Sequence, residues 1–152
     1  MDVYIKYCRL LLSHCRLPPL RPLRALSSLI GRCSPSNCPN KSIGVQAILF
    51  GDPSKPGLYG VLNKWLEGNH FSKPHFHPDD RFITVISGTW WVGTGPDFDP
   101  VDGTVPMPAG SFVTHYGKQV HWDGAKNVDA VLLIVGEGPA TSTPFVVAPT
   151  AR

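Results

Sequence analysis

Short apolar segments, separated by turn residues, recur along the chain from Val45 onward. Gly, Pro, Asn and Asp stand between them at intervals of about 8 to 12 residues, which is the pattern of short strands joined by turns. No segment after Gly44 sustains the 3.6-residue period of a helix. The pattern therefore predicts an all-β sandwich or barrel. Its predicted strands lie at residues 45–50, 58–66, 82–86, 89–92, 104–107, 111–116, 130–135 and 144–147.

Two of these predicted strands, 82–86 and 89–92, are separated only by Ser87 and Gly88. So short a connection predicts a hairpin. In the second strand Trp90 and Trp91 are adjacent, so one must face the interior and the other must face outward. An outward Trp with an apolar rim would suit a homodimer, although a single exposed aromatic side chain is also ordinary on a protein surface.

Two histidines lie two residues apart in the segment His75-Phe76-His77. In an extended strand the side chains at i and i+2 emerge on one face, so both imidazoles can face a common centre. Because His is the commonest protein metal ligand, this spacing predicts a metal site. The alternative is that two surface histidines flank a strand by chance. A third ligand must come from elsewhere, and His121 is the best candidate, with His115 as its rival.

Two sets of residues around these histidines are spaced as in a known family. The first set is Gly68, His75, His77, Arg81 and Gly88, with one extra residue between the first Gly and the first His. The second set is Gly110, Tyr116-Gly117-Lys118 and His121. Over residues 45–147 the sequence resembles the cupin superfamily. The resemblance implies a single-domain antiparallel jelly-roll β-barrel of the RmlC-like type that binds a metal.

The sequence departs from the family pattern in both motifs. Arg81 stands where the family usually has a ligating Glu, and the second motif differs at Tyr116, Lys118 and Ala125. The matching positions therefore imply a metal site of three histidines, His75, His77 and His121, without a carboxylate at the usual spacing. Asp79 or Asp80 could still swing in as a fourth ligand, although Pro78 fixes the local backbone.

Arg81 affects which molecules such a site would accept. Three neutral imidazoles leave a divalent cation its full charge, and a guanidinium that faced the cavity would add to it. This arrangement predicts an anionic ligand that bridges metal and guanidinium. The alternative is that Arg81 turns outward and pairs with Asp79 or Asp80. Arg81 and Tyr116 are the candidate catalytic residues, with Tyr116 as a general acid near the third histidine.

The function hypotheses follow from this predicted site. The metal would be a divalent transition ion, and iron, manganese, zinc, nickel and copper all suit three imidazoles. The first hypothesis is a small metalloenzyme that acts on a small, anionic organic molecule. The alternative is a non-catalytic cupin that binds or senses a small ligand. A third option, motivated by the missing Glu, is a barrel without metal. Substrate and reaction are not encoded in the spacing.

Charge divides the chain into two predicted parts, an N-terminal extension over residues 1–42 and a barrel domain over residues 43–152. The extension has one acid, Asp2, and seven basic residues, Lys6, Arg9, Arg16, Arg21, Arg24, Arg32 and Lys41. The barrel has the remaining seven basic residues and ten acidic ones, so its charge does not indicate a nucleic-acid partner.

The extension also contains every cysteine of the chain, namely Cys8, Cys15, Cys33 and Cys38. Their spacings match no zinc ribbon or redox pair, and the barrel has no thiol nucleophile. Leu10-Leu11-Leu12 is far shorter than the roughly 20 residues that span a bilayer, so no membrane anchor is expected. The composition fits an organellar transit peptide or an unpacked segment equally well. We expect a cytoplasmic location, or an organellar one if the extension is a transit peptide.

Overall fold

The computed structural model describes residues 44–146. The predicted extension over residues 1–42, its four cysteines and the end of the last predicted strand lie outside this range. Within it, no helix is long and apolar enough to cross a membrane. The strands are β1 (Gly44–Phe50), β2 (Gly57–Trp65), β3 (His70–Phe71), β4 (His75–Phe76), β5 (Arg81–Ser87), β6 (Thr89–Thr94), β7 (Val105–Pro108), β8 (Phe112–His115), β9 (His121–Ala125), β10 (Ala130–Gly138) and β11 (Thr143–Pro144).

The strands form two antiparallel sheets. The first sheet has the order β1-β2-β10-β5-β8, and the second has the order β11-β4-β9-β6-β7, with β3 paired to β9. Alternation of side chains across a strand explains which residues enter the core. In β10, for example, Ala130, Leu132 and Ile134 are buried while Val131 and Leu133, between them, are only partly covered. This confirms the prediction of an all-β antiparallel fold.

The hydrophobic core lies between the two sheets. Its most deeply buried large side chains come from both sheets and include Tyr59, Ile83, Leu132, Trp90 and Met107. Burying an aliphatic or aromatic side chain of this size contributes roughly 1.5–3 kcal/mol. The core therefore holds the two sheets face to face and fixes the positions of the strand ends where polar residues enter the interior.

The predicted hairpin between residues 82–86 and 89–92 is wrong. Strand β5 pairs with β10 and β8 in the first sheet, whereas β6 pairs with β9 and β7 in the second. The corner lies at Gly88, whose φ is 76°. A Cβ at this position would lie 1.8 Å from the carbonyl oxygen of Asp129. Gly88 therefore lets the chain pass close to a neighbouring backbone as it crosses from one sheet to the other.

Strand β9 was not predicted from the hydrophobic pattern. Its sequence is His-Trp-Asp-Gly-Ala, and all five residues are buried. Polar residues on the inward face of β9 conceal the alternation of apolar and polar positions on which strand prediction depends. Strand β9 nevertheless lies at the centre of the second sheet, between β4 and β6, and begins at His121.

Candidate metal centre

Strand pairing brings three histidines together. His75 in β4 lies directly opposite His121, the first residue of β9, and His77 follows β4 by one residue. One ring nitrogen from each of the three histidines lies within 4.8 Å of the others. His77 and His121 are buried, at 6% and 3% exposure, and His75 is partly buried. The predicted convergence of these histidines is confirmed.

Backbone carbonyls hold each of the three imidazoles in one orientation. The Nδ1 atoms of His75, His77 and His121 lie 2.7 Å, 2.8 Å and 3.0 Å from the carbonyl oxygens of Lys73, Thr141 and Gln119, respectively. A carbonyl oxygen can only accept a hydrogen bond, so each Nδ1 donates and each Nε2 keeps its lone pair. In the described part of the chain, the buried Nε2 atoms of His77 and His121 have no hydrogen-bond partner.

This set of donors fits a metal ion. Metal-ligating histidines commonly donate their other ring N–H to a carbonyl or carboxylate, which fixes the tautomer that offers a lone pair. Here three such imidazoles converge, and the two buried Nε2 atoms would otherwise be unsatisfied polar groups. The cluster could therefore hold a metal ion, as the sequence predicted.

Burial also keeps two of these imidazoles neutral. It lowers the pKa of His77 to about 3, and the positive charge of Arg81 acts in the same direction. Burial likewise lowers the pKa of His121 to about 3, with His75 contributing. Because only a neutral imidazole offers a lone pair to a metal, both histidines are in their ligating form at neutral pH.

Arg81 reaches the interior from the opposite sheet. It is the first residue of β5, on the same face as the buried residues Ile83 and Val85. Its side chain lines two adjoining cavities of about 400 Å³ and 360 Å³, and the larger cavity is also lined by His75 and His77. The cavity-facing position predicted for Arg81 is thus the one that the structure adopts.

The guanidinium of Arg81 is only partly satisfied, by a hydrogen bond with Tyr59 and a contact with His115. Its Nε atom is buried without a hydrogen-bond partner among the described residues. Burial lowers the pKa of Arg81, and the negative charge of Asp123 opposes this fall. The alternative pairing with Asp79 or Asp80 is not formed, since the Asp80 carboxylate instead accepts a hydrogen bond from the backbone N–H of Gly117 at 2.7 Å.

Comparison with known proteins identifies the fold. No family model matches the sequence, and no curated protein is similar to it. Among solved structures, a protein with a double-stranded β-helix domain from Klebsiella pneumoniae is 16% identical, covers 87% of this chain and 98% of its own, and has a TM-score of 0.56. A cupin-2 domain protein from Rhodospirillum rubrum is 12% identical, covers 68% and 66%, and has a TM-score of 0.55. The chain has the cupin fold.

An enzyme is also found among the structural neighbours of this chain. The polyketide cyclase RemF from Streptomyces resistomycificus is 15% identical, covers 71% of this chain and 75% of its own, and has a TM-score of 0.57. Identities this low establish the fold alone. The finer predictions, an RmlC-like barrel and a homodimer, stay predictions.

His115, the rival ligand, lies beside the histidine cluster but not in it. It is the last residue of β8, and its ring centroid lies 3.9 Å from that of His121. The group of three converging ring nitrogens does not include it. A nitrogen of Arg81 lies 3.5 Å from His115 Nδ1, and because a guanidinium can only donate, this contact leaves the ring proton on Nε2. His115 in this form does not offer a lone pair to the metal position.

The remaining predicted site residues lie at the surface of the cupin barrel. Tyr116 follows β8 in a turn, is 42% exposed and lines neither of the two cavities. Its role as a general acid stays a prediction. Asp79 and Asp80 are exposed and do not belong to the histidine cluster. The same turn contributes the backbone carbonyl of Gln119, which accepts a hydrogen bond from His121.

Asp123 is a residue of the cavity that sequence reasoning missed. It lies two positions after His121 in β9 and is buried, at 6% exposure. Its side chain lines the larger cavity together with His75, His77 and Arg81. The spacing His121-Trp122-Asp123 has the same i, i+2 relation that identified His75 and His77. This signal could have been used had β9 been recognised as a strand.

Proposed function

We propose that this cupin binds one divalent transition-metal ion through the Nε2 atoms of His75, His77 and His121, and that it is a small metalloenzyme acting on a small anionic organic molecule. One observation carries the proposal. All three imidazoles donate Nδ1–H to backbone carbonyls, so that their three lone pairs are available to one ion. Iron, manganese, zinc, nickel and copper all suit such ligands.

The proposed ion and the residues around it would each make a different contact with the ligand. When bound, the ion supplies Lewis acidity that polarises an oxygen atom of the ligand. The guanidinium of Arg81 holds the anionic group of the same molecule, because Arg matches a carboxylate through paired hydrogen bonds. Trp65 and Ile134 line the same cavity and give it apolar surface. Apolar surroundings strengthen each of these electrostatic interactions.

The structural neighbours give limited support for the enzyme class. The polyketide cyclase among them is a catalyst built on the same fold. Because fold does not determine function, this likeness supports catalysis by a cupin barrel without indicating the reaction. The proposal that this chain is an enzyme therefore depends on its own histidine cluster and on Arg81.

Metal stoichiometry tests the proposed ion. The purified full chain is dialysed against each candidate ion, and the bound metal is measured by elemental analysis. We expect one ion per chain, and we expect His75→Ala, His77→Ala or His121→Ala to weaken binding roughly a hundredfold or more. His70→Ala is the matched control, because His70 lies in β3 outside the cluster and should leave binding unchanged. Equal binding by wild type and His121→Ala would contradict the proposal.

Ligand binding and turnover test the rest. Arg81→Gln should keep the bound ion yet bind the dianion oxalate at least roughly tenfold more weakly than wild type does, because a charge-assisted contact is lost. A screen of carboxylic acids with the metal-loaded protein then separates two classes. Formation of a product supports the enzyme, whereas tight binding without turnover would favour the non-catalytic binder.

We also propose that two copies pair through the outer face of the first sheet. This face exposes large apolar side chains, namely Phe50, Leu58, Phe82, Ile86 and Phe112, each at least 45% exposed. The rings of Phe82 and Phe112 stack with centroids 6.5 Å apart. Contiguous exposed apolar surface of this kind is typical of protein interfaces. Trp91, the outward member of the predicted Trp pair, is partly buried in the second sheet, with Lys126 Nζ 3.9 Å from its ring centroid, and is not part of this face.

Sedimentation velocity of the full chain tests the dimer. We expect wild type to sediment as a dimer and Phe82→Glu with Phe112→Glu to sediment as a monomer, because the charges would be buried unpaired at the interface. Val101→Glu is the control, since Val101 is an exposed apolar residue outside this face. A monomeric wild-type chain would contradict the proposal.

A further inference from the structure

Asp123 has hydrogen-bonding capacity that the protein does not use. Its Oδ1 accepts a hydrogen bond from the Ser72 hydroxyl at 2.8 Å, and its Oδ2 accepts one from Trp90 Nε1 at 2.9 Å. An ionised carboxylate has about four accepting positions, so about two are left. These two neutral donors also fix the orientation of the carboxylate in the wall of the larger cavity.

Asp123 also lacks an ionic partner. The ion pairs among residues 44–146 join Lys55 to Asp52 and Lys64 to Asp129, and neither involves Asp123. A buried carboxylate without a cation in contact is costly unless further donors reach it. Residues 44–146 supply only the two neutral donors described above. A further donor can therefore come from a molecule that occupies the cavity.

Arg81 is the complementary group on the opposite sheet. It lines the same cavity as Asp123, its Nε atom lacks a partner, and the two charges attract each other without forming an ion pair. Within residues 44–146, the cavity is thus bordered by a cation with an unpaired Nε–H on one sheet and an anion with unused acceptors on the other. A volume of about 400 Å³ is within the range of small-ligand sites.

We propose that Asp123 is a specificity-determining residue, which accepts a hydrogen bond from a hydroxyl group of the ligand while Arg81 holds the ligand's carboxylate. The ligand is accordingly a small hydroxy acid. The choice of a hydroxyl over an ammonium group rests on the proposed function, because a divalent ion on three neutral imidazoles would repel a second cation. A plain carboxylic acid would face the Asp123 carboxylate without donating to it.

This pairing predicts discrimination between closely related acids. When a ligand analogue cannot form a hydrogen bond with a buried polar group of the site, that polar group is left unpaired. The analogue therefore binds more weakly than the ligand that forms the hydrogen bond. The matched acids are mandelate, phenylacetate and phenylglycine, which share a phenyl ring and a carboxylate. At the α-carbon they carry a hydroxyl group, a hydrogen atom and an ammonium group, respectively. The ring can pack against Trp65 and Ile134 in the same cavity.

Isothermal titration of the metal-loaded full chain with these acids tests the inference. We expect wild type to bind mandelate at least roughly tenfold more tightly than phenylacetate. In Asp123→Asn this ratio should fall to within roughly threefold of unity, because the amide presents a donor and no longer repels the plain acid. Ser72→Ala, which keeps the carboxylate but removes one of its supports, should retain most of the preference.

The acid series in wild type decides the question even if Asp123→Asn does not fold. Equal affinity for mandelate and phenylacetate, tighter binding of phenylglycine, or no binding of any of the three by protein with one ion per chain would each overturn the hydroxy-acid assignment. In those cases the proposed metal site would still stand. A chain that takes up no metal yet prefers mandelate through Asp123 would instead overturn the proposed function, because the preference would then arise without the ion.

Discussion

The interior between the two sheets has an apolar end and a polar end, and the same strands supply both. Along the inward face of β5, Arg81 is followed by the buried Ile83 and Val85. Two further strands also have both kinds of inward residue: β8 has Val113 and then His115, and β9 has His121 and Asp123 and then Ala125. Each of these three strands therefore contributes core residues at one end and site residues at the other.

The two ends differ in how well their groups are satisfied. At the apolar end, close-packed side chains need no partner beyond van der Waals contact. At the polar end, the buried Nε2 atoms of His77, His115 and His121 and the Nε of Arg81 lack hydrogen-bond partners among residues 44–146. Because unsatisfied buried polar groups are costly, the apolar end must stabilise the fold, and the proposed ion and ligand would complete the polar end.

The largest expected effect comes from removing part of the apolar end. Ile83→Ala and Leu132→Ala should each lower the free energy of unfolding by about 2–5 kcal/mol, because both side chains are fully buried and leave a cavity. Chemical denaturation of the metal-free protein measures this loss. Metal affinity at the polar end should not change in the folded variants. A variant that folds normally but loses metal binding would show that the two ends are not separate.

Metal addition should stabilise the polar end in a way that depends on the histidines. At an ion concentration of about 100 times the dissociation constant, binding adds about 2.7 kcal/mol to the free energy of unfolding. We therefore expect the thermal midpoint of wild type to rise with added metal and that of His121→Ala to stay constant. If both proteins respond equally, the ion is bound elsewhere in the chain.

Acid should weaken the metal-free fold through the same histidines. The pKa values of His77 and His121 are about 3 in the folded chain, against an ordinary value of 6.5. The unfolded chain thus binds more protons between pH 6.5 and about 3, so the stability contributed by each histidine is present above this window and is lost as the pH falls through it.

Each of the two histidines should contribute a slope of roughly 1 kcal/mol per pH unit within that window. Denaturation of the metal-free protein across the pH range measures the combined slope, and His77→Gln should reduce it. A slope that is the same in wild type and variant would show that His77 titrates normally.

The smallest effect is expected at the surface turn beside the polar end. Tyr116→Phe should change the free energy of unfolding by less than about 0.5 kcal/mol, because the residue is exposed and lines neither cavity. Metal affinity should also be unchanged. A large loss of turnover in Tyr116→Phe, once a substrate is known, would restore the predicted role of Tyr116 as a general acid.

The sequence predicted the histidine cluster because its spacing is tied to strand geometry. His75 and His77 share a face in any extended segment, and His121 followed from the spacing of the second motif rather than from a contact. The short apolar strands were also predictable, since inward and outward residues alternate along them. The histidine cluster and the short strands were predicted from local periodicity or from the spacing of family motifs. Both features can be read from one amino-acid sequence.

What the sequence did not predict depends on pairing between distant segments. The short connection at Gly88 between β5 and β6 resembles a hairpin turn in the sequence. The two strands lie in different sheets because β5 pairs with β8 and β6 pairs with β9. Asp123 was missed because β9 has polar residues on its buried face. A carboxylate that accepts a hydrogen bond from Ser72, 51 residues away, leaves no trace in the hydrophobic pattern.

X-ray absorption spectroscopy of the metal-loaded full chain tests the three-histidine site most directly. For zinc, the histidine cluster predicts imidazole nitrogen scattering at about 2.0–2.1 Å that fits three rings, with the remaining ligands oxygen. His121→Ala should lower the imidazole count or abolish binding. A first shell of sulfur at about 2.3 Å, as cysteines from residues 1–42 would give, or one without imidazole scattering, would contradict a metal centre at His75, His77 and His121.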